Sequence, residues 1–125
     1  MKKWALTIWA ALLVVGMTPA SAHHSGAMYD REKDVTLDGV VKEWQWTNPH
    51  VYLQVLVTDK QGKTVEWSIE GGAMVNMKRA GWEKTAFGPG DEVSVVFHPL
   101  GSGAPGGTVI EATNKKTGQV YKYHG

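Results

Sequence analysis

Trp44-Gln45-Trp46-Thr47-Asn48-Pro49-His50 separates the two most strand-like segments of the chain. Residues 35–46, which run into this stretch, and residues 51–58, which follow it, are rich in β-branched and aromatic residues that favour strands. Proline fixes its own φ and disfavours a helical conformation at Asn48, so the Asn-Pro dipeptide requires a bend. The stretch therefore predicts a tight turn between two strands, with a histidine directly after the bend.

The rest of the chain alternates predicted strands with glycine-rich turns and contains one helical segment. Clean alternation over residues 64–70 predicts a third strand in which Trp67 faces inward. Gly71-Gly72 breaks this strand, and residues 73–80 have the pattern of a short helix. The remaining predicted strands are residues 92–97, residues 108–113 and a short edge strand at 119–123.

The order of these elements is β-β-β-α-β-β, which is the order of the OB-fold. The predicted fold is therefore mainly β: a small five-stranded OB-fold-like barrel with one short helix. A plain antiparallel sandwich with one crossing helix is the alternative. A change of parity near Gly39 predicts a bulge or a sharp bend in the first strand. His98-Pro99 is expected to end the fourth strand, because proline cannot donate to a ladder.

The beginning of the chain has the pattern of a secretory signal peptide. Met1-Lys2-Lys3 is basic, residues 4–17 are uncharged and apolar, and Ala20-Ser21-Ala22 fits a cleavage site. A membrane anchor is the alternative, but the apolar run is shorter than the ~20 residues that span a bilayer. The predicted organisation is a signal peptide at 1–22, an N-terminal tail at 23–34 and a barrel at 35–125. The protein is thus predicted to be periplasmic or secreted, without a stable membrane anchor after cleavage.

The composition of the processed chain excludes several classes of function. Removing residues 1–22, which include Lys2 and Lys3, leaves 103 of the 125 residues and changes the formal charge from +1 to −1. This balance does not suit nucleic acid or an anionic membrane. The chain has no cysteine, so a disulfide framework and a thiol nucleophile are both impossible. No spacing suggests a catalytic cluster, and we expect no enzyme activity, although a copper-dependent redox activity stays open.

Cleavage after Ala22 would make His23 the amino-terminal residue, with a free amine and an imidazole in one chelate. A second histidine would complete a three-nitrogen histidine brace, a nitrogen-rich arrangement that favours Cu(II). His50 follows the loop between strands 1 and 2, and His98 opens the loop between strands 4 and 5; in OB-folds these loops flank the ligand. The predicted metal ligands are therefore His23, His24, His50 and His98, with copper as the metal. Histidines of a mobile tail and surface imidazoles beside turns are the alternative interpretation.

A second hypothesis uses the aromatic residues on and beside strands 2 and 3. Trp46, Asn48, Tyr52 and Trp67 would form a surface that stacks a flat small molecule or contacts a protein. The chain would then be a non-catalytic binding module, indifferent to chelators. The alternative interpretation places most of these aromatic residues in the core.

Several motifs resemble those of a known family. They are Ala22-His23-His24-Ser25, the Gly39-x-Val41-x-Glu43-x-x-Trp46-Thr47-Asn48-Pro49-His50 stretch, Trp67-x-Ile69-Glu70, Gly81-Trp82, Pro89-Gly90-Asp91-x-Val93 and His98-Pro99. Together they resemble a family of short exported bacterial proteins catalogued only as a domain of unknown function. The resemblance covers nearly the whole processed chain. It implies export and a small β-rich fold, and it implies no activity or ligand.

Overall fold

A computed structural model describes residues 26–125 of the protein. The predicted signal peptide at 1–22 and the predicted ligands His23 and His24 lie outside these residues. The described chain begins with a 3-10 turn, and its further elements are β1 (Val35–Gln45), β2 (Tyr52–Thr58), β3 (Thr64–Glu70), α1 (Met74–Arg79), β4 (Glu92–Pro99), β5 (Gly106–Asn114) and β6 (Val120–Lys122). None of the helices in this part of the chain has the length and apolarity needed to cross a membrane.

The strands close into a ring of five, and this confirms the predicted OB-fold-like barrel with one short helix. The sheet order is β3-β2-β1-β4-β5-β6, and the parallel pairing of β3 with β5 closes the ring. Strand β6 pairs only with β5 and lies outside the ring. The closure needs glycine at Gly107, because a Cβ there would overlap the carbonyl oxygen of His98. A sandwich of two sheets would lack this parallel pairing.

Alternation along the strands fills the barrel with apolar side chains. Trp67 lies among the inward positions, as predicted, and its ring centroid is 5.7 Å from that of Phe97. Helix α1 contributes the fully buried Met77, and Trp82 closes the same end of the core. The largest fully buried side chains are Trp82, Phe97, Leu53, Ile69, Met77, Val41, Val51, Val55, Val93 and Val95.

The bulge in β1 lies three residues after the predicted position. The register against β2 shifts between Val41 and Glu43, whereas Gly39 pairs regularly with β4. Glycine in a strand marks either a bulge or a close approach of another backbone. At Gly39 it is the close approach, because a Cβ there would overlap the carbonyl oxygen of Leu56.

Strand β4 also continues two residues beyond its predicted end. His98 pairs with Thr108, and Pro99 pairs with Gly107. Pro99 has no N–H, but its carbonyl oxygen accepts a hydrogen bond of 2.8 Å from Asp30 N. A proline is therefore tolerated here, because the ladder needs only its acceptor.

Candidate functional site

Four polar side chains meet at the carboxyl end of β3, and we call them the Glu70 cluster: Tyr29, His50, Tyr52 and Glu70. Tyr29 Oη donates a 2.7 Å hydrogen bond to Glu70 Oε2, and Tyr52 Oη donates to the same oxygen at 3.3 Å. His50 Nδ1 lies 3.2 Å from Glu70 Oε1. The Glu70 side chain is only 13% exposed. Both oxygens of a largely buried carboxylate are thus engaged by different partners.

Local pairing explains why these residues meet. Ile69 faces the core, so Glu70 faces outward, and the register places Tyr52 of β2 directly opposite it. Tyr29 arrives from the segment before β1, which runs along the end of β4. Two backbone hydrogen bonds, which together form the Tyr29–Leu100 bridge, hold this segment: Asp30 N to Pro99 O at 2.8 Å, and Gly101 N to Met28 O at 2.8 Å. The N-terminal segment is therefore docked beside the end of β3.

Both phenols of the cluster are held in their protonated form. Burial raises the pKa of Tyr29 above its usual range, and the hydrogen bond and charge of Glu70 raise it further. Burial also raises the pKa of Tyr52, again with contributions from the charge and hydrogen bond of Glu70. The Glu70 carboxylate is met by two neutral donors and an imidazole, rather than by a lysine or arginine of residues 26–125. The cluster therefore has an acidic character.

The second contact of His50 assigns its neutral tautomer. Nδ1 lies 3.1 Å from the carbonyl oxygen of Gly71, which can only accept a hydrogen bond. Nδ1 must therefore carry the proton, and Nε2 carries the lone pair of the neutral ring. The two ring nitrogens point in different directions, so Nε2 faces away from Glu70. This is the tautomer in which an imidazole ligates a metal through Nε2.

His98 repeats this pattern at a different place. Its Nδ1 lies 2.9 Å from the carbonyl oxygen of Lys33 and 3.1 Å from Asp34 Oδ1. Glu70 of β3 pairs with Thr108 of β5, and Thr108 pairs with His98 of β4. Glu70 and His98 are therefore separated by two strand spacings, or ~10 Å across the sheet. Each of the two predicted histidines thus has its own carboxylate and its own carbonyl acceptor.

A metal site is not complete within the described chain. Across residues 26–125, no three histidine, aspartate or glutamate side chains are grouped closely enough to hold a metal ion. His50 places one imidazole at the end of β3, and His98 places one at the end of β4. Whether His23 and His24 contribute stays a prediction.

A small cavity adjoins the Glu70 cluster at the position where OB-folds bind ligands. It is lined by Met28, Tyr29, Tyr52, Ser68, Glu70, Leu100, Pro105, Gly106 and Gly107, and its volume is about 180 Å³. Tyr52, Ser68 and Glu70 belong to strands 2 and 3, and Leu100 and Pro105 belong to the loop between strands 4 and 5, which form the OB-fold ligand site. The N-terminal segment and the start of β5 supply the rest of the lining. Pockets for drug-sized molecules begin at about 300 Å³, so this cavity suits an ion, water or part of a ligand.

The four residues of the aromatic hypothesis do not share one surface. Trp46 packs against Trp44, with 5.5 Å between their ring centroids, and it lines a different cavity beside α1. Asn48 Oδ1 accepts a hydrogen bond of 3.0 Å from Met74 N, so this side chain caps α1. Trp67 faces the barrel interior. Tyr52 alone belongs to the Glu70 cluster.

Sequence reasoning missed two residues of the cluster, Tyr29 and Glu70. Glu70 shares its parity with Glu66, and two carboxylates on one side of a strand indicate a solvated face. Tyr29 lies in a polar segment without strand periodicity, which carries no signal for a site. A usable signal was the position of Glu70 at the end of β3, opposite Tyr52 and directly before Gly71-Gly72.

The comparisons with known proteins identify the family of the chain. No curated protein and no solved structure was found to match it. The sequence profile of a family of unknown function, DUF6152, matches residues 11–111, a range that includes the whole Glu70 cluster. The predicted resemblance to an uncharacterised family is confirmed at this level, whereas export stays a prediction. The chain therefore belongs to DUF6152, a family of unknown function.

Proposed function

We propose that this protein is exported, either to the periplasm or out of the cell, and binds copper through its processed amino terminus and a barrel histidine. In this proposal the ligands are the α-amino group and imidazole of His23 together with His50 Nε2, with His24 as a further donor. The observation that carries the proposal is the docked N-terminal segment. Its 3-10 turn at Gly26–Met28 begins three residues after His23, and it leads directly into the Glu70 cluster.

Covalent reach supports the pairing of His23 with His50. Tyr29 follows His23 by six positions, so their Cα atoms lie at most ~20 Å apart. Tyr29 shares the Glu70 carboxylate with His50 through contacts of 2.7 Å and 3.2 Å. This length of chain would allow an amino terminus at His23 to reach the imidazole that it would join.

The chemistry of the donors favours copper. An amine and two imidazoles form the nitrogen-rich, tetragonal arrangement that suits Cu(II) better than the other divalent first-row ions. The amine and both imidazoles bind in their deprotonated forms, so binding releases protons. The acidic character of the Glu70 cluster adds electrostatic attraction for a cation.

His98 remains the other candidate for the second histidine. Its Nδ1 partners favour the same tautomer as in His50, but they belong to the segment at Lys33 and Asp34 instead of the end of β3. The docked turn lies next to the Glu70 cluster, so we favour His50. Separate alanine variants of the two histidines distinguish these possibilities.

The alternative function is a non-catalytic module for a small molecule or a protein partner. It has less support, because Trp46, Asn48, Tyr52 and Trp67 do not form a common surface and the cavity beside Tyr52 is only about 180 Å³. Binding that survives removal of all metal by a chelator would favour this alternative.

The test is a competition titration of the exported protein with Cu(II), after mass spectrometry has shown that the chain begins at His23. We expect one tightly bound Cu(II) per chain. One extra alanine before His23 should abolish this binding, because it displaces the amine and leaves every side chain in place. His50→Ala should weaken binding strongly, and the control His124→Ala should not. A processed chain without tight Cu(II) binding would contradict the proposal.

A further inference from the structure

We infer that Glu70 is the positioning residue of this metal site, because it orients His50 and anchors the N-terminal segment with one carboxylate. The inference rests on the proposed function and adds a residue that is not itself a ligand. Its two oxygens have different tasks: Oε1 lies 3.2 Å from His50 Nδ1, and Oε2 accepts the 2.7 Å bond from Tyr29.

The first task is to fix the imidazole. His50 Nδ1 lies between two acceptors, the Gly71 carbonyl oxygen at 3.1 Å and Glu70 Oε1 at 3.2 Å. Two acceptors on one nitrogen set both the proton position and the plane of the ring. A carboxylate behind an imidazole also makes the other ring nitrogen more basic and a better metal ligand. Glu70 is therefore placed to strengthen the bond that His50 Nε2 would form.

The backbone around this contact is fixed by reciprocal hydrogen bonds. Gly71 N donates to Val51 O at 2.8 Å, and Val51 N donates to Gly72 O at 2.9 Å. Gly71, which follows Glu70, is thus held beside Val51, which follows His50. Gly71 permits this approach because it has no Cβ. A Cβ there would lie 2.6 Å from the Val51 side chain and 2.9 Å from the Met77 side chain, which is too close. The orientation of His50 is built in before a metal arrives.

The second task is to bring the amino terminus to the same place. Tyr29 is half-buried, and its hydroxyl makes the shorter of the two phenol contacts with Glu70 Oε2. Hydrogen bonds to an ionised acceptor are stronger than those between neutral groups. Because Tyr29 lies six residues after His23, this bond limits where the amine can be. The Glu70 carboxylate thus contacts both His50 and the segment that follows His23, the two parts of the chain that supply the proposed nitrogen ligands.

The experiment compares Glu70→Gln with Glu66→Gln in the processed protein. The two residues lie on the same side of β3, and Glu66 is an exposed residue paired with Lys42 at 2.7 Å. Loss of a partner behind a metal-bound histidine typically lowers affinity by about 10-fold to 100-fold. We expect that loss of Cu(II) affinity for Glu70→Gln and less than a twofold change for Glu66→Gln. The Cu(II) electron paramagnetic resonance spectrum should change in Glu70→Gln only, which a loss of stability alone would not produce.

Tyr29→Phe keeps the test decisive if Glu70→Gln does not fold. It removes one hydroxyl and should weaken Cu(II) binding by about fivefold to tenfold, since a charge-assisted bond is lost. Wild-type affinity in Glu70→Gln, or in Tyr29→Phe where Glu70→Gln is unfolded, would overturn the inference and leave copper binding intact. A wild-type processed chain that binds no Cu(II) would overturn the proposed function itself, and the two failures are thus distinguishable.

Discussion

Glu66 and Glu70 lie four residues apart on the same side of β3, yet their surroundings differ completely. Glu66 is exposed and makes a surface ion pair with Lys42. Glu70 is 13% exposed and is enclosed by two phenols and an imidazole. Strand parity decides only which side of the sheet a residue faces. The position along the strand, and the segment that packs across it, therefore decide whether an outward carboxylate is solvated or becomes the centre of a site.

The largest expected effect on stability is that of Glu70→Ala compared with Glu66→Ala. Glu70→Ala leaves two half-buried phenols without the carboxylate that accepts from them and removes one of the two acceptors at His50 Nδ1. Unsatisfied buried groups cost about 1–3 kcal/mol. We expect a loss of about 2 kcal/mol in the free energy of unfolding, against ~0.5 kcal/mol or less for Glu66→Ala. Denaturant unfolding measures both values. Equal losses in the two variants would show that the Glu70 cluster has no special role.

Alkaline pH should also weaken the Glu70 cluster, with a smaller effect on the free energy of unfolding than Glu70→Ala. The pKa values of Tyr29 and Tyr52 are raised in the folded state by burial and by Glu70, so the folded protein holds these protons more tightly than the unfolded chain. Their contribution is fully present below the ordinary tyrosine pKa of about 10 and is lost as the pH rises above it. We expect the stability of the wild type to fall between pH 10 and pH 12, measured by denaturant unfolding.

The matched control for this pH effect is the double variant Tyr29→Phe/Tyr52→Phe. Without the two phenols, the fall above a pH of about 10 should be shallower. An identical fall in the wild type and in the double variant would assign the pH effect to other groups.

The smallest expected effect is that of Lys42→Ala. The Lys42–Glu66 pair is 2.7 Å long, but its side chains are 52% and 42% exposed. Exposed pairs contribute about 0–1 kcal/mol, and salt screens them. We expect a change of about 0.5 kcal/mol or less, which disappears in 1 M salt, again by denaturant unfolding. A loss as large as that of Glu70→Ala would remove the contrast between the two carboxylates.

The barrel could be predicted from the sequence because its strands carry their own pattern. Alternation in β3 gave the inward position of Trp67, and the order of elements indicated the OB-fold. Local rules were less reliable where a residue has two structural uses. Gly39 allows β2 to approach closely instead of forming the bulge, and Pro99 remains in β4 because only its carbonyl is needed.

The Glu70 cluster could not be predicted, because it depends on contacts between residues that are distant in the sequence. Tyr29 and Glu70 are 41 residues apart, and Tyr29 reaches Glu70 only because its segment docks on the end of β4. His50 was identified from its place after the Asn-Pro turn. Its tautomer depends on the Gly71 carbonyl oxygen, 21 residues away, and no local pattern reports such a contact.

The most direct test of copper binding at His50 is a crystal structure of the copper-loaded, processed protein, with the metal located by anomalous scattering. We expect one copper ion, bound at about 2.0 Å by His50 Nε2, the His23 imidazole and the His23 amine, with Glu70 still on His50 Nδ1. A copper ion bound away from His50, or a His50 ring turned so that Nδ1 leaves Glu70, would contradict it.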